Sequence, residues 1–272
     1  MSVSMMEEER SIPPSNSTPL LVVEGGIERF DDGRGTVTEI KLSTTAPYLD
    51  QNETPKVENA IVSIASENQT VILNSVSEGV FTTEKIEGEI GKSYTLRILW
   101  NDYEYIASDI MNQAPPIDTL YSIFQEESGI TDEGYFLNFN SQDPAGIANQ
   151  YHYRVFKEGE YIILPDPGNA RTLVLTDEFF DGAYREGINP NEEAVFEPGQ
   201  IGKVEQMGIS MAYYQFLFQV YDQTGNQGLS FTGNPPPASI RGNLIATDPD
   251  YPRALGFFHV ADIATAETVV LP

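Results

Sequence analysis

The residues that could do chemistry are few: two histidines, His152 and His259, and no cysteine in 272 residues. The missing thiols exclude disulfides, thiolate zinc sites and cysteine nucleophiles together. Two histidines cannot make a three-histidine zinc site, and no H-E-x-x-H occurs. A Ser-His-Asp triad could draw on either histidine, but no G-x-S-x-G elbow carries a nucleophile. His152 sits in Tyr151-His152-Tyr153-Arg154-Val155, and His259 in Gly256-Phe257-Phe258-His259-Val260. Both runs read as strands, where each histidine is expected to be structural and partly exposed.

Gly88-Glu89-Ile90-Gly91-Lys92-Ser93 has the outline of a phosphate loop. The motif requires a glycine where Ile86 stands and a helix where a strand follows, so it is rejected. No G-x-G-x-x-G is present. With 41 acidic residues, carboxylate pairs occur at almost any spacing. A hydrolase using two carboxylates, which needs neither His nor Cys, stays open as an alternative. Asp248-Pro249-Asp250 lacks the glycine and distal glutamate of a calcium loop and reads as a solvated turn. Asp177-Glu178-Phe179-Phe180-Asp181-Gly182 has two readings, a ligand-facing loop or a strand end anchored by Phe179 or Phe180 with Gly182 turning the chain. The second is favoured. No catalytic, cofactor-binding or metal-binding residue is assigned, and no cofactor is expected. Asn16, Asn52 and Asn68 fit N-glycosylation sequons.

Fifteen basic residues against the 41 acids leave a formal charge of −26. Such a surface repels phosphate backbones and anionic headgroups, so no nucleic-acid partner is expected. Plain solubility is the simplest use of the charge. Apolar content of 40% suffices for ordinary cores. No apolar run approaches the roughly 18 residues needed to span a bilayer. The first thirty residues lack a signal-peptide core, so the expectation is either a cytosolic chain or one whose export signal has been removed.

The elements that must position these side chains read as β. Short β-branched and aromatic runs alternate with Gly, Asn and Ser turns, the pattern of antiparallel sandwiches. Residues 1–18 read as a polar, flexible leader or an artificial start. A first sandwich spans 19–112, with strands near 20–29, 36–43, 57–65, 69–74, 79–84, 93–100 and 103–109. Turns fall at Asp31-Asp32-Gly33, Gln51-Asn52 and Asn101-Asp102. Pro115-Pro116 marks a stiff linker over 113–118. A larger β-rich domain fills 119–272, opening on the alternating strand Ile117–Phe124. Its further strands lie near 134–139, 151–157, 161–164, 173–175, 201–206, 255–261 and 268–271. Tyr213, Phe216, Leu217, Val220 and Tyr221 form a helical stripe near 210–224, with Ser210 as N-cap and Gly225 as terminator. A helix closing one side of a sandwich accounts for those aromatics. Pro235-Pro236-Pro237 should be extended surface chain.

An ordered set of segments carries a family resemblance. It comprises Leu20–Gly25, Leu42–Tyr48, Val57–Val62, Gly91–Leu96, Pro115–Tyr121, Thr176–Gly182, Pro236–Asn243 and Ala254–Phe258. From about residue 18 onward the chain resembles the domain-of-unknown-function family 4249 of Bacteroidetes. The resemblance implies an exported lipoprotein encoded beside TonB-dependent outer-membrane receptors, with no activity and no catalytic residue to carry over. The Glu7-Glu8-Glu9 run is similar to the acidic stretch after the lipidated cysteine of surface lipoproteins. The first domain also resembles immunoglobulin- or transthyretin-like sandwiches. The expected function is therefore a non-enzymatic, surface-exposed outer-membrane lipoprotein. It would partner a TonB-dependent receptor, with a glycan or peptide as possible ligand and the membrane reached only through a lipid anchor. The alternatives are the carboxylate hydrolase and a structural adhesion-type module.

Overall fold

A computed structural model describes residues 18–46, 54–67, 69–127, 132–162, 173–225 and 240–272, without the side chains of 223–225. The leader up to residue 17, the Gln51-Asn52 turn, Asn16, Asn52, Asn68, Pro235–Pro237 and the end of the 161–164 strand lie outside the described residues.

The protein is mainly β, with one helix among the described elements. The first half supplies β1 (Leu21–Phe30), β2 (Gly35–Thr44), β3 (Ala60–Ser66), β4 (Gln69–Ile72), β5 (Asn74–Ser77), β6 (Val80–Thr82), β7 (Ser93–Trp100) and β8 (Tyr103–Ile110). The second half supplies β9 (Thr119–Gln125), β10 (Gly134–Gln142), β11 (Gln150–Lys157), β12 (Glu160–Tyr161), β13 (Val174–Thr176), β14 (Tyr184–Ile188) and β15 (Ile201–Ile209). Helix α1 (Met211–Gly225) follows, then β16 (Ile245–Ala246), β17 (Leu255–Gly256) and β18 (His259–Val269). Strand β7 shows why the period was legible: Tyr94, Leu96 and Ile98 point inward and are buried, while Ser93 and Arg97 face water. The positive φ of Asn101 and Asp102 makes the tight β7–β8 turn.

A ten-stranded sheet runs in the order β12-β11-β15-β18-β1-β2-β6-β5, with β13 and β17 pairing off that path. Two smaller sheets, β16-β8-β7-β3-β4 and β14-β10-β9, form the other layer. Val23, Ile27, Ile40, Leu42 and Val260 of the large sheet meet Val62, Ile64, Leu96, Ile98 and Tyr105 in one core. Tyr151, Tyr153, Val155 and Val204 meet Leu137, Phe139 and Phe196 in a second. On the opposite face of the large sheet, α1 covers Met207, Ile209, Ala261 and Ile263 with Leu217, Tyr213, Phe216 and Tyr221. Burying each such side chain contributes about 1.5–3 kcal/mol.

The large sheet crosses the expected 113–118 boundary. β1 pairs in parallel with β18, from Gly26↔His259 to Phe30↔Ile263. β17 also pairs with β1, and β16 with β8. Strand periodicity reveals faces but not partners, and parallel partners need a long crossover. The runs read as 255–261 and 268–271 are instead a short β17 and one long β18, and β14 was not foreseen at all. The proline segment is a strap laid across the sheet. Ala114 N–H donates to Asp262 Oδ2 at 3.0 Å. Pro115 O accepts from Gln206 Nε2 at 2.7 Å, and Pro116 O accepts from Ser141 Oγ at 2.9 Å. The prolines have no N–H to satisfy, so their carbonyls alone need partners.

The parallel ladder also demands a missing side chain. A Cβ on Gly26 would stand 1.9 Å from the His259 carbonyl oxygen. Gly26→Ala should lower the unfolding free energy by more than about 2 kcal/mol, because the backbones must separate. Urea denaturation monitored by tryptophan fluorescence checks this; an unchanged midpoint would contradict the close approach.

Candidate functional site

The ladder registers bring charged side chains onto the helix-bearing face of the large sheet. Arg154 on β11 lies opposite Glu205 on β15. Glu28 on β1 lies beside Ala261 on β18, one pleat from His259. Arg154 Nη1 and Nη2 donate to Glu28 Oε1 and Oε2 at 2.8 and 3.1 Å. Its Nε donates to Glu205 Oε2 at 2.9 Å. Glu205 Oε1 accepts from Arg34 Nη2 at 2.8 Å and from Lys203 Nζ at 2.9 Å. His259 Nε2 lies 3.1 Å from Glu28 Oε1. One guanidinium thus bridges two carboxylates, and each carboxylate has further partners.

Helix α1 closes the same face. Ser210 Oγ accepts the Tyr213 N–H at 3.1 Å, the N-cap expected from sequence. Tyr213 stacks on His259 with centroids 4.8 Å apart and planes 2° from parallel. Tyr221 OH meets His152 Nε2 at 3.1 Å. Nδ1 of His152 is buried without a partner. A neutral ring protonated on Nε2 leaves only an acceptor unmet there, and Nε2–H then donates to Tyr221.

The electrostatics follow from burial and pairing. Burial by itself would raise the Glu28 pKa; the His259 hydrogen bond and the Arg154 charge outweigh it and hold the carboxyl far below the usual range. Burial opposes ionisation of Glu205 too, but Arg154, Arg34 and Lys203 keep it lowered. His152 is pushed down to about 3, by burial first and then by the Arg154 charge. A concavity of about 250 Å³ opens on this network, lined by Gly25, Gly26, Glu28, Lys41, Arg154 and His259. A second, of about 600 Å³, lies beside the strap between Arg29, Thr36, Gly88, Ala114 and Asp262.

Both histidines therefore converge on one face, and both are buried rather than partly exposed, at 5% and 8%. The burial comes from α1, whose aromatics cap them. The Asp177–Gly182 run is a loop end: Phe180 stacks near Tyr151, Gly182 turns at φ +71°, and Phe179 stands 91% exposed. Its Asp177 and Asp181 meet Asp143, with carboxylate oxygens within 4.8 Å of one another, the one grouping among the described residues shaped to hold a cation. Those oxygens already clamp two loops. Asp143 accepts from Tyr151 OH and Gly182 N–H, Asp177 from Asn149 N–H and Asp181 from Gly146 N–H. Asp248 accepts the Asp250 N–H in a local turn, as its motif suggests. Gly91, at φ +81°, turns the chain into β7. Glu28, Arg154 and Glu205 were missed; each sits beside an apolar residue inside a strand run, Ile27, Val155 and Val204, but other polar residues share those strands.

Fold and site define a two-layer β protein whose large sheet carries a closed ionic network under a single helix. The chain belongs to the family described as a domain of unknown function, DUF4249, whose model matches residues 7–267. Comparison with curated proteins gives no match.

Removing the central cation should expose the cost of the two acids. Arg154→Met should destabilise by about 1–3 kcal/mol, since buried Glu205 and half-buried Glu28 lose a shared counterion but keep Arg34, Lys203 and His259. Adding Glu28→Gln should recover part of that loss, as coupled partners do. Chemical denaturation of the single and double variants measures both effects.

The pH dependence has a definite sign. Between about 3 and the ordinary histidine value near 6.5, the unfolded chain takes a proton on His152 and the folded one does not. Stability then falls as pH falls, at up to about 1.4 kcal/mol per unit. Glu28, lowered in the fold, adds a loss in the same direction below about 4.5. His152→Gln should flatten the slope between pH 6.5 and 4.5; an unchanged slope in urea titrations would contradict a neutral buried ring.

Proposed function

We propose that this protein is a non-enzymatic component of the cell envelope. In this reading it is a surface-exposed lipoprotein of the outer membrane. It docks on a TonB-dependent receptor or presents a peptide or glycan ligand to it. The observation that carries the non-enzymatic reading is the closure of the ionic network. Arg154 is shared between Glu28 and Glu205, His259 is bound to Glu28, and His152 is held neutral by burial. General acid–base catalysis asks for a group poised near the working pH and within reach of a substrate. Glu28 and His152 are both held below that range, and Glu28 is tied to Arg154 and His259 by hydrogen bonds.

The envelope setting and the receptor partner rest on the family resemblance. Among the described residues no helix is long and apolar enough to cross a membrane; the attachment proposed is a covalent lipid. The two-carboxylate hydrolase is less well supported. Asp143, Asp177 and Asp181, the acids grouped most tightly, hold backbone amides or a tyrosine and line neither cavity described above.

Two measurements on cells expressing the full-length gene test this. Labelled palmitate should be incorporated and the protein should fractionate with the outer membrane. Affinity capture from solubilised outer membranes should recover a TonB-dependent receptor. An unlabelled protein that stays in the cytosol, or repeated capture without a receptor, would overturn the reading.

A further inference from the structure

The sheet edges of this protein are unequal. β12 and β16 have two residues each, and β4 has four. β5 and β14 both pair with a register shift, and β14 carries Arg185 and Glu186. Short length, bulges and charge are the devices that keep edges from pairing with other chains. β9 has none of them. Its seven residues, Thr119–Gln125, contain no charge and no proline. All seven pair with β10 in unbroken register, Gly134↔Gln125 through Asn140↔Thr119. Among the described residues no strand is hydrogen-bonded to its other side, because β9 ends the β14-β10-β9 order, although β9 also packs near β18. Ile123 and Phe124 stand 42% and 47% exposed at that edge.

We infer that β9 is a docking edge that takes an extended, basic-flanked peptide segment of a partner as an added strand. A free edge offers backbone donors and acceptors in register, and alternate side chains supply the specificity. Charge selects the occupant. Asp118 precedes the strand, Glu126 and Glu127 follow it, and Asp132 and Glu133 lead into β10; all five are exposed. A second copy of this chain fits badly. Antiparallel self-pairing centred on Ser122 sets Asp118 against Glu126, and parallel self-pairing sets Glu126 beside Glu126. Like charges placed opposite across strands are destabilising. A segment with lysines or arginines on either side of an alternating apolar stretch meets the acids at both ends.

This deepens the docking reading above and rests on it, but its test needs no membrane, anchor or receptor. The probe is a fluorescent synthetic peptide of alternating threonine and valine with paired lysines at both ends, titrated into the full chain by anisotropy. Hydrogen exchange should show new protection in 119–125 when it binds. N-methylation at alternate residues, which removes strand donors, should weaken binding by about tenfold or more. Glutamates in place of the lysines should weaken it similarly, and added salt should erode the preference for lysine. Ile123→Lys, at an exposed position, should also weaken it while leaving the unfolding midpoint unchanged. Absence of binding, indifference to N-methylation, or protection confined to other strands would overturn the assignment. So would a chain that dimerises through 119–125. None of these results would touch palmitate labelling or receptor capture, so the two readings fail separately.

Discussion

The parallel ladder between β1 and β18 joins two strands from opposite ends of the chain in the middle of its largest sheet. Both faces of that ladder are covered. Ile27 and Val260 lie in one core, while Ala261 and Ile263 lie under the helix on the other side. Strands buried on both faces are typical of parallel pairing. The register matters beyond packing. Because side chains alternate, a slip of one residue would drive Glu28 into the apolar core and turn Ile27 toward Arg154. Core, ion network and histidine burial are therefore consequences of one alignment.

Much of the fold was legible where one face meets water. β7 and β8 alternate cleanly because their outer face is solvated, and α1 announced itself through its stripe and Ser210. β18 was not legible as one strand. Its middle, Ala264-Thr265-Ala266, is small and weakly apolar, and burial on both sides removes the alternation that marks an exposed strand. β14 was missed because Tyr184–Ile188 holds Arg185, Glu186 and Gly187, which resemble a loop. The ionic site was hidden by distance along the chain. Arg154 is 126 residues from Glu28 and 51 from Glu205, and 41 acids offer too many possible partners. Only the tertiary register selects those two.

The large sheet consequently has two unlike sides. One is largely apolar, apart from Gln206 and Asp262, and is shared with two smaller sheets; the other mixes aromatics of α1 with fixed charges. Buried ion pairs return little net stability, because desolvation offsets the attraction. What they do here is penalise every arrangement in which Arg154 faces anything else. The strap is pinned by polar side chains in the same way: Gln206, Ser141 and the Asp262 carboxylate each bind one backbone atom of residues 114–116.

The ladder has a temporal consequence as well. Arg29 and Asp262, which form an ion pair across it, are 233 residues apart in the chain. Contacts of such long sequence separation form late and slowly. A nascent chain can build the β1–β2 hairpin early, yet one flank of β1 stays open until β18 has been synthesised. Through that interval the growing polypeptide presents an unpaired, largely apolar border to its surroundings. Folding of the large sheet is therefore tied to completion of synthesis, not to the strength of the finished core.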